Sequence, residues 1–324
     1  MRLLKGIVVL LAVIGVLAML LAARGTARPL TPISSLNPAM NFAYVRVHGL
    51  VVDYPYIEKS GDYLSFSVRD ESGDVRVMAY RSVIDALVVQ RRLPMPGTVV
   101  TVEGTLRVRE NEPALTLGDV EAIDSYWPVV QKTSLSHLPL YGMGECVVVV
   151  GQIRRKREVQ SAYQVVSLRN GSDQIDVLVP LQLSEFIKLP SIPDVGTWVQ
   201  VTGSVSEYRG TPELLVRGEN DITEIPAQTS STNSVASLSS VIVGSWAMID
   251  GIVNKVQLIH NGVLLDLKSA TGKDVSVVMY EEWNNVPFSS TLQSGDAITV
   301  QGEVVSYRGK LEVQPELSID LVKH

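Results

Sequence analysis

Four groups of side chains in this 324-residue sequence have types and spacings suited to chemistry. Tyr63, Arg69, Arg76 and Tyr80 sit on alternate positions of two apolar runs, Tyr63-Leu-Ser-Phe-Ser-Val-Arg69 and Val75-Arg76-Val-Met-Ala-Tyr80. Arg154, Arg155, Lys156 and Arg157 form an uninterrupted basic run. Tyr163 and Arg169 repeat the first Tyr/Arg spacing just after it, and Tyr208-Arg209 stand before a glycine. Tyrosine rings stack on planar heterocycles, and guanidinium groups neutralise phosphates. Interleaved Tyr and Arg therefore suit a single strand of bases joined by anions. The same alternation also suits Arg packed over Tyr on a solvated sheet face. A basic run equally suits a hairpin tip that blocks edge pairing, or attraction to anionic lipid headgroups.

Catalytic chemistry has no comparable constellation. His48, His137, His260 and His324 are scattered and make no metal-ligand pair at helical or short-loop spacing. Neither a phosphate-cradling glycine loop nor a nucleophile elbow is present. Glu281-Glu282 open a helical stretch, where negative charge suits the helix dipole. Cys146 is the single cysteine, which excludes an intrachain disulfide, and its run of valines reads as a buried strand. The sequence predicts a binding protein rather than an enzyme, with no metal and no cofactor.

Charge bounds where a polyanion could sit. The net charge is −6 and charged residues make up only 19 %. Acids outnumber bases in each of the three repeat units described below, so any nucleic-acid site must be local. At the N-terminus, residues 6–23 form 18 uncharged, mostly apolar residues, with Arg2 and Lys5 before them and Arg24 and Arg28 after them. A helix of that length comes close to spanning a hydrocarbon core. The expectation is a single-pass transmembrane anchor within residues 1–28, with a cleaved signal peptide as the alternative. The short basic N-terminus directs the remaining domains outside the cytoplasm.

The elements that position these side chains repeat. Gly97, Gly196 and Gly295 recur at steps of 99 residues, and Gly104, Gly203 and Gly302 do the same. Gly49, Gly151 and Gly251 mark an earlier strand in each copy. The copies span 41–125, 143–226 and 244–324; a Ser/Thr-rich linker at 226–240 separates the second and third. Within a copy, alternating apolar runs give three strands, a short helical pattern near 83–91 in the first copy, and two more strands.

Before the last strand the sequence reads Gly203-Ser-Val-Ser-Glu-Tyr208-Arg209-Gly210, and again Gly302-Glu-Val-Val-Ser-Tyr307-Arg308-Gly309. The first copy departs from this, with Arg109-Glu110-Asn111. This order and motif resemble the oligonucleotide/oligosaccharide-binding (OB) superfamily, specifically its anticodon-binding-like domains. The resemblance implies an all-β chain of three tandem five-stranded OB barrels, each with one short helix. It also implies a ligand lying across the second and third strands, flanked by the loops joining strands one to two and four to five. That assigns Tyr63, Arg69, Arg76 and Tyr80 to the binding face of barrel one. Tyr163, Arg169, Tyr208, Arg209 and the run 154–157 go to barrel two, with the run placed in its strand one-to-two loop. In the third copy Leu264, Asp266, Lys268, Ser276, Val278 and Tyr280 occupy the corresponding outward positions; Lys268 keeps the basic character of Arg69 and Arg169, but the platform is lost. The reading is a membrane-anchored binder of single-stranded nucleic acid using barrels one and two. An extracytoplasmic module contacting protein or glycan is the second reading.

Overall fold

The computed structural model describes residues 12–16, 28–228, 241–269, 274–280 and 292–324. Strands dominate because valine, isoleucine and tyrosine alternate with polar residues, the pattern of a pleated surface buried on one side. They form three sheets of one topology. In barrel one the strands are Tyr44–Val51, Tyr63–Asp70, Gly73–Tyr80, Val99–Arg109 and Glu112–Thr116. The first strand pairs antiparallel with both the second and the fourth, and the third pairs parallel with the fifth, so the sheet closes on itself. Barrel two repeats this with Cys146–Val159, Tyr163–Asn170, Asp173–Val179, Trp198–Tyr208 and Thr211–Leu215. Barrel three uses Trp246–Ile259, Gly262–Ser269, Asp274–Tyr280, Ala297–Tyr307 and Lys310–Gln314.

The alternation read from sequence holds in barrel one. Leu64, Phe66, Val68, Val75, Val77 and Ala79 are all buried. Each large side chain so buried contributes about 1.5–3 kcal/mol of transfer free energy. The repeated glycines have two separate causes. Gly97, Gly196 and Gly295 adopt positive φ (81°, 95° and 100°) in the turn that leads into the fourth strand. At Gly104 and Gly302 a Cβ would meet the fifth strand's backbone at 2.8 and 2.5 Å, so the strands can cross there only without a side chain.

The chain divides into two compact units. The first comprises residues through Val51 together with Pro55–Pro94 and Thr98–Tyr126. The second comprises Val52–Tyr54, Met95–Gly97 and Trp127–His324, and so holds barrels two and three.

Several expectations need correction. Each barrel has a further short strand on its fourth strand: Ile123–Tyr126, Ile222–Glu224 and Leu321–Lys323. At three or four residues they are too short to show a period. The expected helix forms in barrel one at Arg81–Val89, with Val83, Ile84 and Leu87 buried. In barrel two it shrinks to a 3-10 turn, Leu181–Leu183. Pro180 precedes that turn, and the chain leaves it well before Pro190. The corresponding stretch of barrel three, including Glu281-Glu282, lies outside the described residues, as does most of the linker at 226–240.

The membrane expectation is also overturned. Among the described residues no helix is long and apolar enough to cross a membrane. Residues 12–16 are helical, and the rest of the 6–23 run lies outside the described residues. The anchor, the membrane partner and the extracytoplasmic location inferred from it are set aside.

Candidate nucleic-acid interface

Barrel one carries an open groove of about 750 Å³ on the outer face of its second, third and fifth strands. Strand alternation positions its floor. Arg76 and Tyr80 point outward from the third strand because Val75, Val77 and Ala79 point in. Arg107 and Arg109, at the end of the fourth strand, close one wall. Arg76 and Arg109 are exposed and have no carboxylate partner among the described residues. Arg107 is also exposed and lies 4.1 Å over the Phe42 ring, which holds its guanidinium in place.

Beside the groove the tyrosines form a ladder. The Tyr56 and Tyr63 rings are 6.3 Å apart, and those of Tyr63 and Tyr80 are 6.2 Å apart, both tilted. Tyr63 and Tyr80 are direct cross-strand partners. Tyr56 comes from a two-residue strand paired to the second strand. Tyr56 and Tyr80 are more than half exposed. The arrangement can stack bases on the ladder while neutralising phosphates in the groove.

Arg69 is differently placed. Its guanidinium donates to both Asp74 carboxylate oxygens, at 2.6 and 2.7 Å, across the hairpin. That pairing holds the Asp74 carboxyl below its usual range. Arg69 is therefore compensated, unlike Arg76. Sequence reading missed Tyr56, Arg107 and Arg109. Tyr56 follows Pro55 in a stretch with no strand period, and the arginines gain meaning only from the closed topology.

Barrel two has the corresponding groove, of about 1000 Å³. Tyr163, Tyr208, Arg157 and Arg209 line it, together with Tyr54 of the same unit. The Tyr54 ring lies tilted against that of Tyr163, with centroids 5.9 Å apart, and its hydroxyl donates to the Leu178 and Val216 carbonyls, each at 2.7 Å. Burial pushes the Tyr54 hydroxyl's pKa well up. The groove floor is acidic: Asp176 and Glu213 are direct partners on the parallel third and fifth strands. Arg157 pairs with Asp176 at 3.1 Å, and the Ser167 hydroxyl donates to the same carboxylate at 2.6 Å.

The basic run does not lie in a loop. The first and second strands of barrel two are joined by a tight turn at Gln160-Ser161, both at positive φ, so residues 154–157 belong to the strand. A bulge at Arg154 shifts the register: Ser167 faces Arg155 while Leu168 faces Ile153. The bulge breaks alternation, and the four cations scatter. Arg155 and Arg157 are exposed. Lys156 reaches the Pro193 carbonyl at 3.0 Å.

Arg154 is buried. Its Nε donates to Glu316 at 2.9 Å, and its terminal nitrogens donate to Gln152 at 2.7 Å and to both carboxylate oxygens of Asp320. Arg169, expected on the outer face, is buried too. It donates to Gln174 at 2.8 Å and Glu316 at 3.1 Å, and lies 4.3 Å over the Trp246 ring. Arg154 and Arg169 thus join barrel two to barrel three within one unit and do not face a ligand cleft.

Comparison with known proteins bears on the fold. A family model described as the OB-fold nucleic acid binding domain, of the tRNA anticodon type, matches residues 45–123 and 147–222. These segments are barrels one and two. No curated protein matches the chain. Among solved structures, the S. pombe Stn1–Ten1 complex is 17 % identical over 24 % of this chain, with a TM-score of 0.22, and the match spans 57 % of that chain. A replication protein A heterotrimer bound to single-stranded DNA is 12 % identical, with coverage of 91 % and 96 % and a TM-score of 0.31. A murine DNA-binding protein bound to double-stranded DNA is 13 % identical, with coverage of 55 % and 97 % and a TM-score of 0.27.

Proposed function

We propose that this chain binds single-stranded nucleic acid in the groove of barrel one, without catalysing a reaction. The observation that carries the reading is the convergence of Arg76, Arg107 and Arg109 on one open groove beside the ladder Tyr56–Tyr63–Tyr80. Each base stacked on an aromatic ring is worth about 1–3 kcal/mol, and every base offers a π-face, so the ladder favours a single strand with little sequence preference. The description of the family that matches this barrel supports the same class of ligand. In this reading Tyr63 and Tyr80 stack bases and Arg76 meets phosphate. Arg69, tied to Asp74, orients the hairpin instead of meeting phosphate. Neither a glycan nor a membrane partner gains support from the fold.

Labelled oligothymidylate titrated across a salt series tests this reading. Affinity should fall steeply with salt. Replacing Arg76 and Arg109 with Ala should flatten the log–log slope by about 0.7 for each lost phosphate contact. Absence of binding at low salt would overturn the proposal.

A further inference from the structure

The three barrels differ at one register position that sets the charge of the groove floor. Where the third and fifth strands run parallel, barrel one pairs Arg76 with Ala114, barrel two pairs Asp176 with Glu213, and barrel three pairs Ser276 with Glu312. The sign of the floor therefore reverses between the first two barrels. In barrel two, Arg157 and Ser167 satisfy Asp176. Glu213 is half-buried, is hydrogen-bonded with Ser206, and has no Lys or Arg at ion-pair distance among the described residues. Burial pushes its carboxyl up from the usual range, and the neighbouring Asp176 adds to this. Around Glu213 the groove is lined by Tyr54, Tyr163, Val165, Pro212 and Leu215; its two arginines are Arg157, held by Asp176, and Arg209, in the turn beyond Tyr208. An uncompensated carboxylate beside tyrosine faces repels phosphate and attracts a desolvated cation, which gains from both charge and ring quadrupole.

We infer that barrel two's groove is a docking site for an extended polypeptide segment of a partner protein, one that places a lysine or arginine side chain against Glu213 and aliphatic side chains against Tyr54, Tyr163 and Leu215. Charge complementarity selects the basic side chain. The groove's volume, about 1000 Å³, exceeds what one side chain fills and is of the size that holds a ligand of several residues. The basic run of this chain cannot be the occupant, because residues 154–157 are strand residues of the same barrel. The protein would then hold nucleic acid with barrel one and a protein partner with barrel two. This inference rests on barrel two's geometry and does not require that barrel one bind nucleic acid.

The test uses the full chain and two probes, a fluorescent peptide of alternating lysine and valine and labelled oligothymidylate. The peptide should bind, and Glu213→Gln should weaken it by about tenfold or more, the effect of losing one charge-assisted contact. Tyr163→Ala should weaken it as well, while Glu312→Gln at the same register of barrel three should leave it unchanged. Oligothymidylate binding should survive Glu213→Gln and fall with Arg76→Ala, so failure of one site is separable from failure of the other. Melting curves check folding, and Glu213→Gln removes only a charge from a half-buried position. Three results overturn the inference: peptide binding indifferent to Glu213→Gln, equal losses from Glu213→Gln and Glu312→Gln, or a gain of oligothymidylate affinity in Glu213→Gln. The last would make the groove a second nucleic-acid cleft.

Discussion

Asp70 holds the hairpin that carries Arg69 and Arg76, and its carboxylate accepts from the Ile33, Ser72 and Gly73 amides at 2.9, 2.7 and 3.0 Å and from the Ser72 hydroxyl at 2.6 Å. Burial alone would raise its pKa, but the four donors outweigh burial and hold it below the usual carboxylate range. A depressed folded-state pKa means stability that is present above the unfolded value and lost as pH falls through the folded one. Asp70→Asn should therefore cost about 1.5–3 kcal/mol at neutral pH by urea unfolding, with the deficit closing on acidification. Glu213 has the opposite sign. Its raised pKa gives stability that is full below the unfolded value and lost as pH rises through the folded one. Glu213→Gln should raise the urea midpoint at neutral pH and leave it unchanged below the ordinary carboxylate range. At this scale the sequence was partly legible. Tyr63, Arg76 and Tyr80 followed from alternation alone. Arg154 did not, because a single bulged residue reverses which face a strand position meets. Glu213 was readable only by aligning it with Ala114, and that register needs the parallel pairing of third and fifth strands.

Among the elements, the hairpins joining fourth and fifth strands are the clearest case of local sequence acting through backbone geometry. All three place two residues at positive φ: Glu110-Asn111 at 51° and 66°, Arg209-Gly210 at 52° and 82°, Arg308-Gly309 at 50° and 80°. Such turns match the right-handed twist of the strands they join. Barrel one's departure from the Tyr-Arg-Gly motif is thus a change of letters and not of geometry, since asparagine also tolerates the left-handed region. Arginine there is disfavoured. Arg308→Asn should stabilise barrel three by up to about 1 kcal/mol, seen as a rise in melting temperature, and no change would argue that the Arg308–Tyr307 stacking offsets the backbone cost. The helix between third and fourth strands was legible in barrel one, where Val83, Ile84 and Leu87 share a face. Barrel two keeps comparable apolar residues but forms only the 3-10 turn Leu181–Leu183, so the hydrophobic pattern alone misleads.

For the whole molecule, the repeat period revealed barrels, but not how the second and third are joined. That joint is a buried network in which Arg154 reaches Glu316 and Asp320, 162 and 166 residues further on, while Trp246 receives both Arg154 and Arg169 on its face. No local pattern signals partners at such separations, which is why both arginines read as ligand contacts in sequence. Asp320 is wholly buried. Arg154→Ala would leave its charge without a cation and should cost about 3–5 kcal/mol in denaturant unfolding, with no effect on the barrel-one groove. Two predictions then separate structure from function among the arginines: Arg154 governs stability, and Arg76 governs binding. The division of labour proposed for the barrels rests first on the place where nucleic acid lies. Ultraviolet cross-linking of oligothymidylate to the full chain, followed by peptide mapping, examines that place directly. The account predicts cross-links at Tyr56, Tyr63 and Tyr80, lost when salt is raised and reduced by Arg76→Ala. Cross-links confined to Tyr163 and Tyr208, or absent from barrel one altogether, would contradict it.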